Sequence, residues 1–137
     1  MPENISSLAL GSVENPSTET WLEPGLRNEF RDELTRRGGI TWVAEHEAEG
    51  RLDLEILNFR SGAKLESAKE RTVRSEILLR LEVRLYSTRS RELLASSGVV
   101  TARESFDPQD RAEEQDAQDR VVELATELAV QRLNQNF

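Results

Sequence analysis

The sequence predicts an α+β fold, a two-layer sandwich in which two α-helices pack on one face of a mostly antiparallel sheet of four to five strands. Three observations predict it: a strongly alternating stretch at Val73–Tyr86, two segments with apolar residues at helical spacing, and turn signals that separate the elements. The predicted order is β-α-β-β-β-β-α. With 137 residues and no linker-like composition, the chain is predicted to be a single domain over residues 1–137.

The first strand and the first helix come from residues 5–39. Residues 5–13 are predicted to form a short buried strand that ends at a turn-rich cluster, residues 14–18. Pro24 is a natural first helical residue because its missing N–H has no partner there. An apolar stripe at a spacing of four follows, and Gly38-Gly39 ends the helix. The stripe consists of Leu22, Leu26, Phe30 and Leu34. Trp21, just before the helix, is expected to anchor the core.

Two further strands are predicted between residues 40 and 56. Residues 40–43 are rich in β-forming side chains and lead into an acidic link, residues 45–50, in which His46 is expected to be an exposed loop residue. Residues 52–56 alternate apolar and acidic side chains, as in a half-buried strand. Residues 60–71 are predicted to be a long polar hairpin connection with Gly62 at its tight point.

The clearest strand is the next one. From Val73 to Tyr86, apolar residues take the odd positions and charged residues the even ones, with Leu78 as the exception, which predicts a long antiparallel strand with one wet face. After a turn at residues 87–91, residues 93–103 return as its partner, with Gly98 a candidate bulge or point of close approach. An acidic run from Glu113 then opens a C-terminal helix. Its predicted apolar face comprises Val121, Val122, Leu124, Ala125, Leu128, Ala129 and Leu133.

Composition argues against most enzyme classes. The chain has no cysteine and one histidine, His46, so thiol chemistry is excluded, and imidazole-based metal or nucleophile sites are not expected. No phosphate-binding loop, dinucleotide fingerprint or nucleophile elbow occurs. The sequence therefore predicts no catalytic activity, no cofactor and no metal. A small hydrolase that uses carboxylates alone is left as a lesser alternative.

Charge is distributed unevenly along the chain. The net charge of −8 argues against nucleic-acid binding. Ten of the 18 basic side chains nevertheless lie between Arg51 and Arg91. This basic island is expected either to attract an anionic partner or to form a solvated sheet face with cross-strand ion pairs, since Glu76 and Glu82 lie among the arginines. Sequence favours the second interpretation.

The sequence contains no segment expected to cross a membrane. It has no run of about 18 apolar residues and no signal-peptide pattern. The chain is therefore expected to be either cytoplasmic or a protein without its leader.

Several motifs together resemble the lipopolysaccharide-assembly lipoproteins of the LptE family. The resemblance begins with the strand at residues 2–10 and the turn at residues 13–18, and continues through the helix at residues 23–38. The hairpin at residues 81–98, the segment 97–106 and the acidic C-terminal helix have the same layout. The likeness therefore covers nearly the whole chain.

The resemblance implies a non-catalytic outer-membrane lipoprotein that faces the periplasm. Such a protein sits as a plug inside the β-barrel that inserts lipopolysaccharide, assists the folding of that barrel and binds lipopolysaccharide itself. The membrane attachment implied is an N-terminal lipid anchor on a cysteine, which this chain lacks. The alternative is a periplasmic lipoprotein scaffold domain that joins other envelope proteins.

The resemblance also suggests a role for the basic island, since lipopolysaccharide carries phosphates and carboxylates that arginine and lysine recognise. Residues at the hairpin end and on the wet face of the long strand are expected to contact either the glycolipid or the barrel wall. They are Arg60, Lys64, Lys69, Arg71, Arg74, Arg80 and Arg84.

Overall fold

Six strands form one sheet, and two helices cover one of its faces, in a computed structural model that describes residues 5–66 and 73–135. The elements in chain order are β1 (Ser7–Glu14), α1 (Leu22–Arg37), β2 (Thr41–Trp42), β3 (Gly50–Glu66), β4 (Val73–Ser87), β5 (Leu93–Ser96), β6 (Val100–Phe106) and α2 (Arg111–Gln135). The predicted α+β class and element order are confirmed. The last predicted strand is divided into β5 and β6.

The sheet is mixed. Its order is β2-β1-β3-β4, and β5 and β6 both pair with the remaining edge of β4. β1 runs parallel to β2 and β3, because α1 carries the chain from one end of the sheet back to the other. The three strands predicted as antiparallel neighbours are confirmed as β3, β4 and the divided strand β5/β6.

One apolar core lies between the sheet and the helices. The odd positions of β4 point into it, and Val83 and Leu85 are both fully buried. Each residue of the predicted α1 stripe is at most 1% exposed. The face of α2 is shifted slightly from the prediction, since Leu124 and Leu128 are only partly buried. The fully or nearly fully buried residues of α2 are Ala117, Val121, Val122, Ala125, Thr126, Ala129, Val130 and Leu133.

The prediction of a polar connection from Arg60 to Arg71 is wrong for its first half. β3 continues to Glu66 and pairs with β4 along the whole of that strand. Two register shifts occur in β3, one after Ile56 and one at Gly62. Each inserts one extra residue, so the core-facing positions change between even and odd residue numbers, and the alternation that would identify the strand is lost. Gly62 has φ +97° and lies at the second shift instead of at a turn. Residues 67–72 of this connection lie outside the described residues.

The first register shift brings Phe59 to the core side of β3, opposite Leu79. There its ring packs edge-to-face against Trp21, with ring centroids 5.6 Å apart. Both rings lie against the margin of the core. The predicted anchoring role of Trp21 is therefore confirmed.

Both helix starts differ from the prediction by two residues. α1 begins at Leu22, which makes Pro24 its third residue, still within the first turn where backbone N–H groups have no helical partner. α2 begins at Arg111, because the Asp110 carboxylate accepts hydrogen bonds from the N–H groups of Ala112 and Glu113. Gly38, with φ +81°, ends α1 as predicted.

Gly98, a predicted bulge or close-approach point, lies in the break between β5 and β6, with φ +65°. Ser97 fills the gap in the ladder at this point. Its backbone N–H donates to Val83, and its hydroxyl accepts the N–H of Val83 at 2.9 Å. The break therefore leaves the backbone of β4 hydrogen bonded.

An ion-pair network at the end of α1 gives the fold a pH dependence. Hydrogen bonds from Arg36 first, and from Arg37, hold the pKa of the buried Glu33 carboxylate below its usual value near 4.5. This carboxylate therefore stabilises the fold above pH 4.5, and the contribution disappears as the pH falls through the lowered pKa.

We expect Glu33→Gln to lower the free energy of unfolding by about 1–2 kcal/mol at pH 7, and by progressively less below about pH 4.5. Urea unfolding at several pH values measures this. Asp32→Asn, at an exposed acidic position of the same helix, is the control and should change stability little at either pH. A loss that is equal at pH 7 and pH 3 would contradict the ion-pair explanation.

Candidate functional site: the outer face of the sheet

The outer face of the sheet, opposite the helices, carries the even positions of β4. Arg80, Glu82 and Arg84 point to this side, as the alternation predicts. The charged residues of β3 lie beside them in register, with Asp53 opposite Arg84 and Glu55 opposite Glu82. The outer face therefore carries both acidic and basic side chains.

Two of the predicted contact residues are already paired within the molecule. The Arg84 guanidinium lies 3.0 Å from Glu55 and 3.1 Å from Glu82, and the hydrogen bond to Glu55 is the main cause that raises the pKa of Arg84. Arg74 contacts the Glu113 carboxylate at the start of α2, at 2.6 Å. The cross-strand pairing that sequence favoured therefore accounts for Arg84, whereas Arg74 pairs with α2.

Three other arginines form a cluster around Leu78. Arg60 of β3 and Arg103 of β6 lie on either side of Leu78 in the same row across the sheet. Arg80 follows Leu78 on the same face of β4, and its Nε donates to the Thr101 hydroxyl at 3.3 Å. Within residues 5–66 and 73–135, no ion pair involves these three arginines. We call Arg60, Arg80 and Arg103 the arginine cluster.

Leu78 is the exception in the sequence pattern, and the cluster explains it. Although it points to the outer face, it is only 4% exposed. Long arginine stems cover apolar surface while their guanidinium groups reach water, which accounts for its burial. The cluster therefore combines guanidinium groups with an apolar base.

Sequence reasoning missed one member of this cluster, Arg103. Its signal is the alternation of β6, where Val100 and Ala102 are buried and Thr101 and Arg103 face outward. The register that sets Arg103 beside Leu78 comes from the structure alone.

Of the three remaining predicted residues, only Lys64 belongs to the described part of the chain. Lys64 belongs to β3 and pairs in register with Ser75. Lys69 and Arg71 lie outside the described residues. Their roles remain predictions.

A second group of charged residues, centred on Arg51, lies at the opposite end of the outer face. Arg51 lies 3.1 Å from Asp53 and 3.3 Å from Glu45, and its guanidinium lies over the Tyr86 ring, 5.1 Å from the ring centroid. These contacts use the hydrogen-bonding capacity of Arg51 internally. The group therefore has a structural role.

A cleft of about 620 Å³ lies at this same end, between residues 45–49 and the turn after β4. His46 lines it from a short 3₁₀ turn and is exposed, as predicted. Glu49, also in the lining, accepts hydrogen bonds from the backbone and hydroxyl of Ser6, which are the main cause that lowers its pKa. Among the described residues, no group of three or more His, Cys, Asp or Glu side chains has the arrangement of a metal site.

Solved structures with this fold come from several bacteria. A lipoprotein from Caulobacter crescentus aligns with a TM-score of 0.64 at 21% identity, covering 96% of this chain and 94% of that one. A minor lipoprotein from Acinetobacter baumannii aligns with a TM-score of 0.63 at 16% identity, covering 98% and 96%. A Chlamydia trachomatis protein aligns with a TM-score of 0.67 at 11% identity, covering 96% and 97%. No curated protein matches the chain by sequence.

The fold is that of a small α+β domain also seen in solved bacterial lipoproteins. The family model for LptE, lipopolysaccharide-assembly, matches residues 5–135. The chain therefore belongs to the LptE family, which assigns it to lipopolysaccharide assembly in the cell envelope and to a family of assembly factors. Neither described helix is long and apolar enough to span a bilayer.

Proposed function

We propose that this chain is a non-catalytic outer-membrane assembly factor that plugs the lipopolysaccharide-inserting β-barrel, assists its assembly and binds lipopolysaccharide. The family match over residues 5–135 supports a role in lipopolysaccharide assembly. The observation that carries the binding proposal is the arginine cluster, three guanidinium groups on an exposed face with no internal ion pair among the described residues.

The chemistry of the cluster suits a phosphorylated glycolipid. Guanidinium groups bind phosphate through paired charge-assisted hydrogen bonds, and they desolvate more readily than ammonium groups. Adjacent strands are about 5 Å apart, so Arg60 and Arg103, two strands apart, begin about 10 Å from each other. At this separation, two arginine side chains can bind the same phosphate or two neighbouring phosphates. Lys64, Lys69 and Arg71 are further proposed contacts for the glycolipid.

The start of the described chain supports attachment at one end of the sheet. Ser6 is tied to Glu49 by two hydrogen bonds of 2.9 and 3.0 Å, and Ile5 is buried beside Gly50. The 17 residues of β3 run from this end over about 55 Å to the hairpin. An N-terminal lipid anchor would hold this end at the periplasmic face of the outer membrane, and the opposite end of β3 would project into the barrel lumen.

Charge reversal tests the binding proposal. We expect the triple variant Arg60→Glu, Arg80→Glu and Arg103→Glu to weaken lipopolysaccharide binding by at least about tenfold at low ionic strength, because repulsion replaces three attractive contacts. Titration of purified protein with lipopolysaccharide micelles measures this, and binding by the unaltered chain should fall as salt rises.

The matched control has the same change in net charge at three exposed arginines elsewhere, Arg89→Glu, Arg91→Glu and Arg111→Glu, and should bind within about twofold of the unaltered chain. A second triple, Lys64→Glu, Lys69→Glu and Arg71→Glu, tests the hairpin end. If neither site triple weakens binding more than the control, the chain does not recognise lipopolysaccharide through its sheet.

The second candidate function is a periplasmic lipoprotein scaffold that joins other envelope proteins. The internal pairing of Arg74 and Arg84 favours it, because these residues then serve stability in place of glycolipid recognition. Co-purification from detergent-solubilised outer membranes separates the two functions. Recovery of a lipopolysaccharide-inserting barrel supports the plug, and recovery of other envelope proteins without it supports the scaffold.

A further inference from the structure

Arg84 lies on the outer face of the sheet beside the arginine cluster, but its charge is directed at two carboxylates. Its guanidinium is 3.0 Å from Glu55 and 3.1 Å from Glu82. These two glutamates are directly opposite each other in the β3–β4 register. Like charges in such a cross-strand pair repel. Arg84 therefore partly neutralises two carboxylates that strand pairing places side by side.

Both carboxylate oxygens of Glu82 are engaged on the side away from Arg80. Oε1 contacts Arg84 at 3.1 Å, and Oε2 accepts a hydrogen bond from the Ser96 hydroxyl, also at 3.1 Å. Ser96 lies opposite Arg84 in the β4–β5 register. Both partners of Glu82 therefore belong to the same row of the sheet, the row of Arg84.

Arg80 is the basic residue of β4 on the other side of Glu82. Positions two apart on a strand project from the same face about 7 Å from each other, a distance that an arginine and a glutamate side chain can close. Arg80 nevertheless makes no ion pair with any side chain that the structure describes, and its Nε donates to the Thr101 hydroxyl. The charge of Arg80 stays available because Glu82 is held by Arg84.

We infer that Arg84 is a positioning residue for glycolipid binding, which holds Glu55 and Glu82 away from the arginine cluster. This role rests on the proposed function, in which Arg80 is one of the groups that bind lipopolysaccharide. Without Arg84, the Glu82 carboxylate would pair with Arg80. A guanidinium paired in this way has fewer donors left for a phosphate, and the neighbouring carboxylates repel the phosphate. Arg84 thereby contributes to binding without the direct contact predicted from sequence.

Arg84→Gln tests this role. We expect it to weaken the binding of lipopolysaccharide micelles by about three- to fivefold at low ionic strength, because a new ion pair of Arg80 competes with the ligand. The matched control is Arg36→Gln. Arg36 also contacts two carboxylates, Glu29 at 3.5 Å and Glu33 at 2.6 Å, but on α1, on the opposite side of the sheet. The control should bind within about 1.5-fold of the unaltered chain. Equal binding by the two variants would overturn the inference.

A double-mutant cycle with Glu82→Gln separates positioning from direct contact. If Arg84 positions Glu82, then Glu82→Gln strengthens binding more in the Arg84→Gln background than in the unaltered chain, because only there does Glu82 compete for Arg80. If Arg84 itself binds a phosphate, Glu82→Gln releases Arg84 and strengthens binding more in the unaltered chain. The second pattern, or an equal gain in both backgrounds, would overturn the inference.

The Nε–H NMR signal of Arg80 gives a readout that needs no ligand. In Arg84→Gln this signal should shift and exchange with water more slowly, because a carboxylate replaces the Thr101 hydroxyl as its partner. Adding Glu82→Gln should return the signal to its position in the unaltered chain. An unaltered chain that does not bind lipopolysaccharide would contradict the proposed function. An Arg80 signal that does not respond to Arg84→Gln would contradict the role of Arg84, so the two failures are distinct.

Discussion

Replacing Phe30 by alanine is expected to lower the free energy of unfolding by about 3–5 kcal/mol. Phe30 is fully buried in the middle of α1, and its ring fills space between the helix and the sheet. The variant loses both the transfer free energy of the ring and the contacts around the cavity that remains. Urea unfolding followed by far-ultraviolet circular dichroism measures the loss.

Asn28→Ala provides the control on the same helix. Asn28 is exposed, and its replacement should change stability by no more than about 0.5 kcal/mol. A loss below about 1.5 kcal/mol for Phe30→Ala would show that α1 is not seated on the sheet. Because both helices and the sheet share one core, detachment of α1 would also remove the support of the outer face.

The spacing of apolar residues was sufficient to predict the strands and helices that bury one face and expose the other. The alternation of β4 and the stripe of α1 both match the structure, since burial on one side forces the period of the side chains. The second half of β3 was not predictable in this way. Its two extra residues change which parity faces the core, and the residues between them include Arg60 and Ser61, which are polar.

The turn after β4 contains a second feature without a sequence signal. Arg91 adopts φ +63°, a left-handed conformation that usually favours glycine. Its N–H donates to the Ser87 carbonyl at 2.8 Å, which closes the turn. Arginine does not favour this conformation, so the sequence did not predict a left-handed residue in the turn between β4 and β5.

The sequence predicted which arginines share the outer face of the sheet, but it did not predict which of them lack an ion pair. Sequence placed Arg74, Arg80 and Arg84 together because they share the parity of β4, and Arg80 alone remains without an ion pair among the described side chains. Which arginines are neutralised depends on register with β3 and on the position of α2. Register is a property of strand pairing, which a single sequence does not encode locally.

Gly11→Ala is expected to lower the free energy of unfolding by about 1–3 kcal/mol, as overpacking does elsewhere. Gly11 lies where β1 shifts register against β3, and a Cβ there would be 2.1 Å from Asp53 Oδ1. That oxygen accepts hydrogen bonds from the Ser12 N–H at 3.1 Å and from Arg51 Nε at 3.2 Å. The added methyl group displaces the carboxylate and breaks both bonds. Thermal and urea unfolding measure the cost.

A double-mutant cycle distinguishes this mechanism from a general effect of adding a methyl group to a strand. Asp53→Ala removes the colliding oxygen, so Gly11→Ala should cost less in that background than in the unaltered chain. Gly25→Ala is the matched control in α1, where a Cβ would meet its nearest neighbour at 3.9 Å, and should stabilise the fold by about 0.5–1 kcal/mol. Equal costs for Gly11→Ala in both backgrounds would show that Asp53 does not require the glycine.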